Sequence, residues 1–251
     1  MPKYIYKYVS AKTLLTILKD QTLKFSSPEQ FNDPFEGHLF QPPIYTLGTA
    51  TKFVEEKFSK LKEYFLNGTD KDNDLPLMYN IRCFMMQLAK TGAFCCTENH
   101  ENILMWSHYA DCHKGACLKF NTEILQKQFS DIRRVIYASG MDHLNIFENA
   151  NYAIKNAMTY KALDWHYEKE IRVFNQPGII KYDVAALEAI YLGVNFIKNI
   201  DMKIFFDAYQ SDERYAKVNI MRGQIDDSAF VIHFNAHIKI GGFNENTFKK
   251  T

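Results

Sequence analysis

The segment Tyr4-Ile5-Tyr6-Lys7-Tyr8-Val9 alternates strictly, and Ser10 follows it without a spacer. Side chains two apart on a strand share a face, so the tyrosines fall on one face and Ile5, Lys7 and Val9 on the other. Ser10 is a natural N-cap, and Leu14, Ile17 and Leu18 behind it share one side of a helix. Thr22 to Ser26 then forms a second short strand, which Ser27-Pro28 breaks. A strand, a capped helix and another strand in quick succession interleave helices with strands, while the hairpins suggest antiparallel pairing.

The rest of the chain keeps that alternation of elements. Val54, Phe58, Leu61 and Phe65 predict an amphipathic helix over 51–66, and the polar run 67–74 a surface loop. Leu77, Ile81, Phe84, Met85 and Leu88 mark a second helix, so the two form an α-helical insertion near residues 50–90. Strands are expected at 93–97 and 115–120, flanking a short helix over 102–110, and again at 134–139, 167–174 and 189–192. A long helix over 142–161, a helix over 197–209 and a closing strand pair, 217–221 with 230–234, complete the expectation. The class is α+β: one domain, 1–251, with a single mixed, mainly antiparallel sheet and peripheral helices.

Composition narrows the function. Hydrophobic residues at 47% and charged residues at 24% exclude a disordered chain, and 15% aromatics promise a well-filled core. Thirty basic residues against 29 acidic ones exclude a whole-domain electrostatic grip on nucleic acid, though not a local basic groove. The start, MPKYIYKYVS, lacks the apolar core of a secretory leader, and no stretch approaches the roughly 18 apolar residues of a membrane span. A cytoplasmic protein without membrane association is expected, with Cys83, Cys95, Cys96, Cys112 and Cys117 as reduced thiols.

Three segments could carry chemistry. In Trp165-His166-Tyr167-Glu168-Lys169-Glu170-Ile171-Arg172-Val173, a strand would align Glu168, Glu170 and Arg172 on one face and Tyr167, Ile171 and Val173 on the other. Such a row can stabilise a cationic transition state, or it can be a solvated face with weak salt bridges. In Met105-Trp106-Ser107-His108-Tyr109, the residues Trp106, His108 and Tyr109 wall a pocket or pack beneath the sheet. His108 and Cys112 share a helical spacing, but no CxxC pair accompanies them, so no metal is predicted. Cys95-Cys96 has no activating base nearby, which argues against a cysteine nucleophile. In Phe31-Asn32-Asp33-Pro34-Phe35-Glu36, the polar groups Asn32, Asp33 and Glu36 bind a polar ligand or cap the turn. Phosphate loops, GxGxxG, nucleophile elbows and HExxH are absent, which sets aside several large enzyme classes.

Together these segments, with Tyr6-Lys7-Tyr8, Leu23-Lys24-Phe25-Ser26-Ser27-Pro28, Gly115 and Lys161, resemble the bacterial family called domain of unknown function 2971. More distantly, the opening strand, capped helix and strand resemble the start of ADP-ribosyltransferase folds, including DNA-modifying toxins and RNA phosphotransferases. Those folds place a His or Arg on the first strand to hold NAD, whereas this chain has Lys7 among tyrosines. Glu168-Lys169-Glu170 is similar to the Glu-x-Glu element of some transferases. That resemblance implies Glu170 as the catalytic carboxylate and Glu168 as the group orienting the acceptor, with Arg172 beside them. It implies NAD as the substrate, held by Lys7, Tyr8, Ser26, His108 and Tyr109, with Asn32, Asp33, Glu36 and Trp106 toward the acceptor. The partners implied are a small-molecule nucleotide and a protein or nucleic-acid acceptor, in a toxin or phage-defence setting. Two other readings stand beside it: a nuclease using His108, Glu168, Glu170 and Arg172, and a non-enzymatic binding module built on Trp106, His108 and Tyr109.

Overall fold

The computed structural model describes residues 1–33, 35, 88–140, 154, 156–198 and 202–236. Strand β1 (Tyr4–Val9) leads into helix α1 (Ala11–Asp20), whose Ser10 cap accepts a hydrogen bond from the Thr13 N–H. Strand β2 (Thr22–Phe25) follows, and Pro28–Gln30 form a short 3-10 turn. After the segment outside the description come β3 (Gly92–Thr97), α2 (Ile103–Tyr109), β4 (Ala116–Asn121) and α3 (Thr122–Gln128). Then come β5 (Asp131–Arg134), β6 (Ile136–Ala138), β7 (Tyr160–Ala162), β8 (Glu170–Asn175), β9 (Gly178–Lys181) and β10 (Leu187–Leu192). Helix α4 (Met202–Tyr209), β11 (Asn219–Ile225) and β12 (Ile232–Ala236) complete the described chain.

Eight strands form one sheet in the order β12-β11-β10-β4-β1-β3-β8-β5. All its pairs are antiparallel except β10 with β11, so the fold is α+β with a mainly antiparallel sheet. β2 pairs with β9, and β6 with β7, in two small separate sheets. Helices α1 and α4 pack beside each other. No helix among the described residues is long and apolar enough to cross a membrane.

Alternation along the strands assigns each face its character. Ile5 and Val9 of β1, Phe94 and Cys96 of β3, Leu118 and Phe120 of β4, and Ile171 and Val173 of β8 join Leu14, Ile17 and Leu18 of α1 in the main core. Burying a side chain of this size contributes about 1.5–3 kcal/mol, so this face carries most of the fold's stability. The opposite face divides. Beneath α2, Tyr8, Cys117, Ala189 and Tyr191 pack around Met105 and Trp106. Next to that aromatic patch, β3 and β8 turn Cys95, Glu170 and Arg172 to the same side.

Several expected boundaries move. The strand placed at 134–139 is two strands, β5 and β6, in different sheets. The helix expected to reach Lys161 has ended by Thr159, because β7 pairs Tyr160–Ala162 in parallel with β6. In place of a helix from residue 197, a 3-10 turn at Phe196–Lys198 precedes α4. The helix over 51–66 and the loop after it lie outside the described residues, as does most of the second insertion helix, of which Leu88 is described and buried.

Candidate functional site

Strand β1 pairs with β4 at six register positions, Tyr4↔Asn121 through Val9↔Ala116. With β3 it pairs at one, Tyr6↔Thr97. The sheet therefore splits beyond that point, and a cleft of about 460 Å³, open to solvent, occupies the wedge. Lys7 and Tyr8 line it from β1, Cys95, Cys96 and Thr97 from β3, and Glu170 and Arg172 from β8. Tyr109 of α2, Phe31 and Asn32 after the first 3-10 turn, and Lys161 of β7 close its remaining sides.

Glu168, Glu170 and Arg172 do meet, but not as a row on one strand. Leu163–Glu168 is a 3-10 segment, Lys169 takes the left-handed conformation with φ 43°, and β8 begins only at Glu170. On a straight strand, residues two apart are separated by about 6.6 Å along the chain. The turn at Lys169 folds that distance up, so both carboxylates reach one ammonium: Lys161 Nζ donates to Glu168 Oε2 at 2.6 Å and to Glu170 Oε2 at 3.3 Å. A non-glycine residue at positive φ costs about 1–3 kcal/mol, and the cluster on either side over-determines it. Thr97 Oγ1 donates to the Glu168 carbonyl at 2.6 Å, and Asn102, the cap of α2, donates to the Tyr167 carbonyl at 3.3 Å.

The two carboxylates have different surroundings. Arg172 grips Glu170 with two N–H donors, Nε to Oε1 and Nη2 to Oε2, each at 2.8 Å. Its Nη1 donates to the Met158 carbonyl at 2.6 Å, and its guanidinium lies 4.6 Å from the Phe31 ring centroid. Burial pushes the Glu170 carboxyl up, but Arg172 and Lys161 outweigh it and hold the pKa down at about 2. Glu168 instead accepts at Oε1 from the Tyr109 hydroxyl at 2.5 Å, and that hydroxyl accepts from Asn32 Nδ2 at 2.7 Å. Burial, and then the bond to Glu168, raise the Tyr109 pKa, so its proton stays in place as a donor at neutral pH. Asn32, Tyr109 and Glu168 thus form a chain of hydrogen bonds from the exposed Asn32 to the buried carboxylate.

Glu168, Glu170 and Arg172 are 3%, 6% and 1% exposed, so the alternative of a solvated sheet face is excluded. The remaining candidates disperse. Lys7 reaches the split from the core side, with Nζ 5.4 Å from the Phe94 ring centroid. Tyr8 is buried, donates to the Asn99 carbonyl at 3.0 Å and meets Trp106 edge-on. Trp106 itself is fully buried, with Nε1 donating to the His100 carbonyl at 2.8 Å; it packs beneath the sheet and does not line the cleft. His108 is exposed outside the cleft, with Nδ1 3.2 Å from the Tyr167 hydroxyl. Ser26 bridges to Ala93 through its backbone, away from the cleft lining. Asp33 is buried in a neighbouring cavity, and Glu36 lies outside the described residues.

Burial and the nearby Glu170 push the Cys95 thiol up to about 12, which leaves no thiolate at neutral pH. Cys112 stands exposed in a run of left-handed residues, Asp111, Cys112 and His113, that reverses the chain after α2. Gly115 completes the reversal, since a Cβ there would lie 2.1 Å from the Val9 carbonyl oxygen. Among the described residues no group of three or more His, Cys, Asp or Glu side chains is gathered.

Sequence reasoning left Lys161 without a role, although it is the cation that joins the carboxylates. Its one available signal is a lysine within the otherwise uncharged run Ala157-Met158-Thr159-Tyr160-Lys161-Ala162-Leu163. Tyr137, whose hydroxyl accepts the Glu170 N–H at 2.8 Å, gives none, because it arrives from another sheet. Residues 105–173, which hold most of α2, Lys161 and both carboxylates, match the family described as protein of unknown function (DUF2971). No curated protein and no solved structure matches the chain. The matched stretch and the cleft share Tyr109, Lys161, Glu168, Glu170 and Arg172.

Proposed function

We propose that the chain is an ADP-ribosyltransferase-like enzyme that takes NAD into the split between β1 and β3. The observation that carries this reading is the pair of buried carboxylates in that cleft, joined through Lys161 and backed by Arg172. In such a reaction the bond between ribose C1′ and the nicotinamide nitrogen breaks. Its electron pair leaves with neutral nicotinamide, and positive charge develops on the ribose. An acceptor nucleophile then bonds to C1′ and loses its proton to water. A preorganised carboxylate that is itself buried is suited to stabilise that cation. The rings of Phe31 and Tyr109 offer flat walls for nicotinamide, and Lys7 offers a cation for the diphosphate.

The surroundings of the carboxylates divide the roles in a way the Glu-x-Glu resemblance did not. Arg172 and Lys161 already bond both oxygens of Glu170, so it serves as the counter-ion that positions them. Glu168 gives one oxygen to Lys161 and the other to a neutral tyrosine hydroxyl, so more of its charge faces the substrate. Protein or nucleic acid would be the acceptor in a toxin or phage-defence setting.

Nicotinamide release from NAD, measured with cell lysate as acceptor, tests the reading. Wild type releases nicotinamide, and Glu168→Gln, whose thermal midpoint falls because Lys161 loses a buried charged partner, slows release by about 10²–10³-fold at temperatures where it stays folded. Folded wild type that releases none in any lysate removes the proposal; equal rates in both proteins remove the assignment of Glu168.

A further inference from the structure

A second cavity adjoins the cleft across Lys161, with about 600 Å³ of open space, and Asp33, Phe35, Ala138, Tyr160, Lys161 and Ala162 are among its walls. Lys161 lines both spaces, and consecutive residues divide between them, Asn32 in the cleft and Asp33 in the cavity. Asp33 is 3% exposed. Its Oδ1 accepts the Phe35 N–H at 2.9 Å, while Oδ2 is buried and has no hydrogen-bond partner among the described residues. A carboxylate oxygen withdrawn from water without a donor is costly, and native proteins hold few such groups, so a donor from a bound molecule is one explanation for this one.

We infer that this cavity is a subsite for a neutral vicinal diol, the kind a ribose or another sugar carries, with Asp33 Oδ2 accepting from one of its hydroxyls. The lining selects this class. An anionic ligand would sit against the Asp33 carboxylate, and the Lys161 ammonium is already held by Glu168 and Glu170. A sugar presents hydroxyl donors on its edge and an apolar face of C–H groups. Tyr160, Phe35, Ala138 and Ala162 match the apolar face, and Asp33 matches the edge. The subsite itself does not depend on the NAD reading. That its occupant is the ribose at the far end of a dinucleotide, spanning both spaces over Lys161, does rest on it.

Two probes and two variants decide the matter. D-Ribose is followed by saturation-transfer NMR, and ADP-ribose by calorimetry. Asp33→Ala removes the acceptor, and Asp33→Asn keeps Oδ1 for the Phe35 N–H and replaces Oδ2 with a donor, so the turn survives. Wild type is expected to give a ribose signal that Asp33→Ala abolishes, and Asp33→Asn to weaken ADP-ribose about tenfold at unchanged helix content. Absence of both ribose and ADP-ribose binding in wild type overturns the subsite, as does binding that both variants leave unchanged. Nicotinamide release judges the other reading separately. Release by wild type with no effect of Asp33 variants leaves the NAD reading without the subsite. Ribose binding lost in Asp33→Ala, with no release by wild type, leaves the subsite without NAD.

Discussion

β1 has two neighbours and treats them differently. Toward β4 it is paired along its full length, and the side chains there, Ile5, Val9, Leu118 and Phe120, are buried and apolar. Toward β3 it is paired once, and the cleft that opens there is walled by an ionic cluster carried on β7, on β8 and on the 3-10 segment before β8. The first flank is held by area removed from water, which is insensitive to small shifts. The cluster that walls the second depends on Arg172, Lys161, Glu168 and Glu170 all being present, because each is buried and each compensates another. A sheet can therefore open a polar cleft in its middle without losing its fold, provided the strand at the opening is fully paired on its other side.

That contrast can be broken most forcefully at Arg172. Arg172→Ala leaves Glu170 buried with Lys161 as its remaining charged partner, and is expected to cost about 3–5 kcal/mol in urea unfolding. A loss below about 1 kcal/mol would mean the ionic flank is not structural.

Acid should separate the flanks next. Glu170 has a folded pKa of about 2 against an ordinary 4.5. Its contribution is therefore complete above pH 4.5 and disappears as the pH falls from 4.5 toward 2. Unfolding midpoints measured across that window should fall in wild type and fall less in Glu170→Gln, whose overall stability is lower. Parallel curves for the two proteins would place the titration elsewhere.

The smallest effect belongs to the well-paired side. Ser10→Ala removes the bond from the Thr13 N–H that starts α1, and should lower stability by about 1 kcal/mol without changing the acid profile. A changed profile would show that the two flanks are coupled through β1.

Much of this fold was readable in the chain. The alternation in Tyr4–Val9 placed Ile5 and Val9 in the main core and the tyrosines on the other face, and Ser10, Leu14, Ile17 and Leu18 behaved as their spacing required. These are local properties: period and capping act within one or two turns of the backbone. The strand at 167–174 was misplaced in part because Glu168-Lys169-Glu170 alternates like a strand. Nothing local announces that Lys169 adopts a left-handed turn, which the contacts of Glu168 and Glu170 with Lys161 support.

The sequence by itself determined the α+β class, the order of most elements, the apolar face of the sheet, and the three residues Glu168, Glu170 and Arg172 as the place to look. Only the tertiary structure decided that these residues are buried rather than solvated, that Lys161 joins them, that Trp106 and His108 stand outside the cleft, and that Asp33 faces a separate cavity. The reason is one of range. Periodicity records which way a side chain points from its own element, whereas a charge's partners come from strands distant in sequence and are set by register and by where a sheet opens.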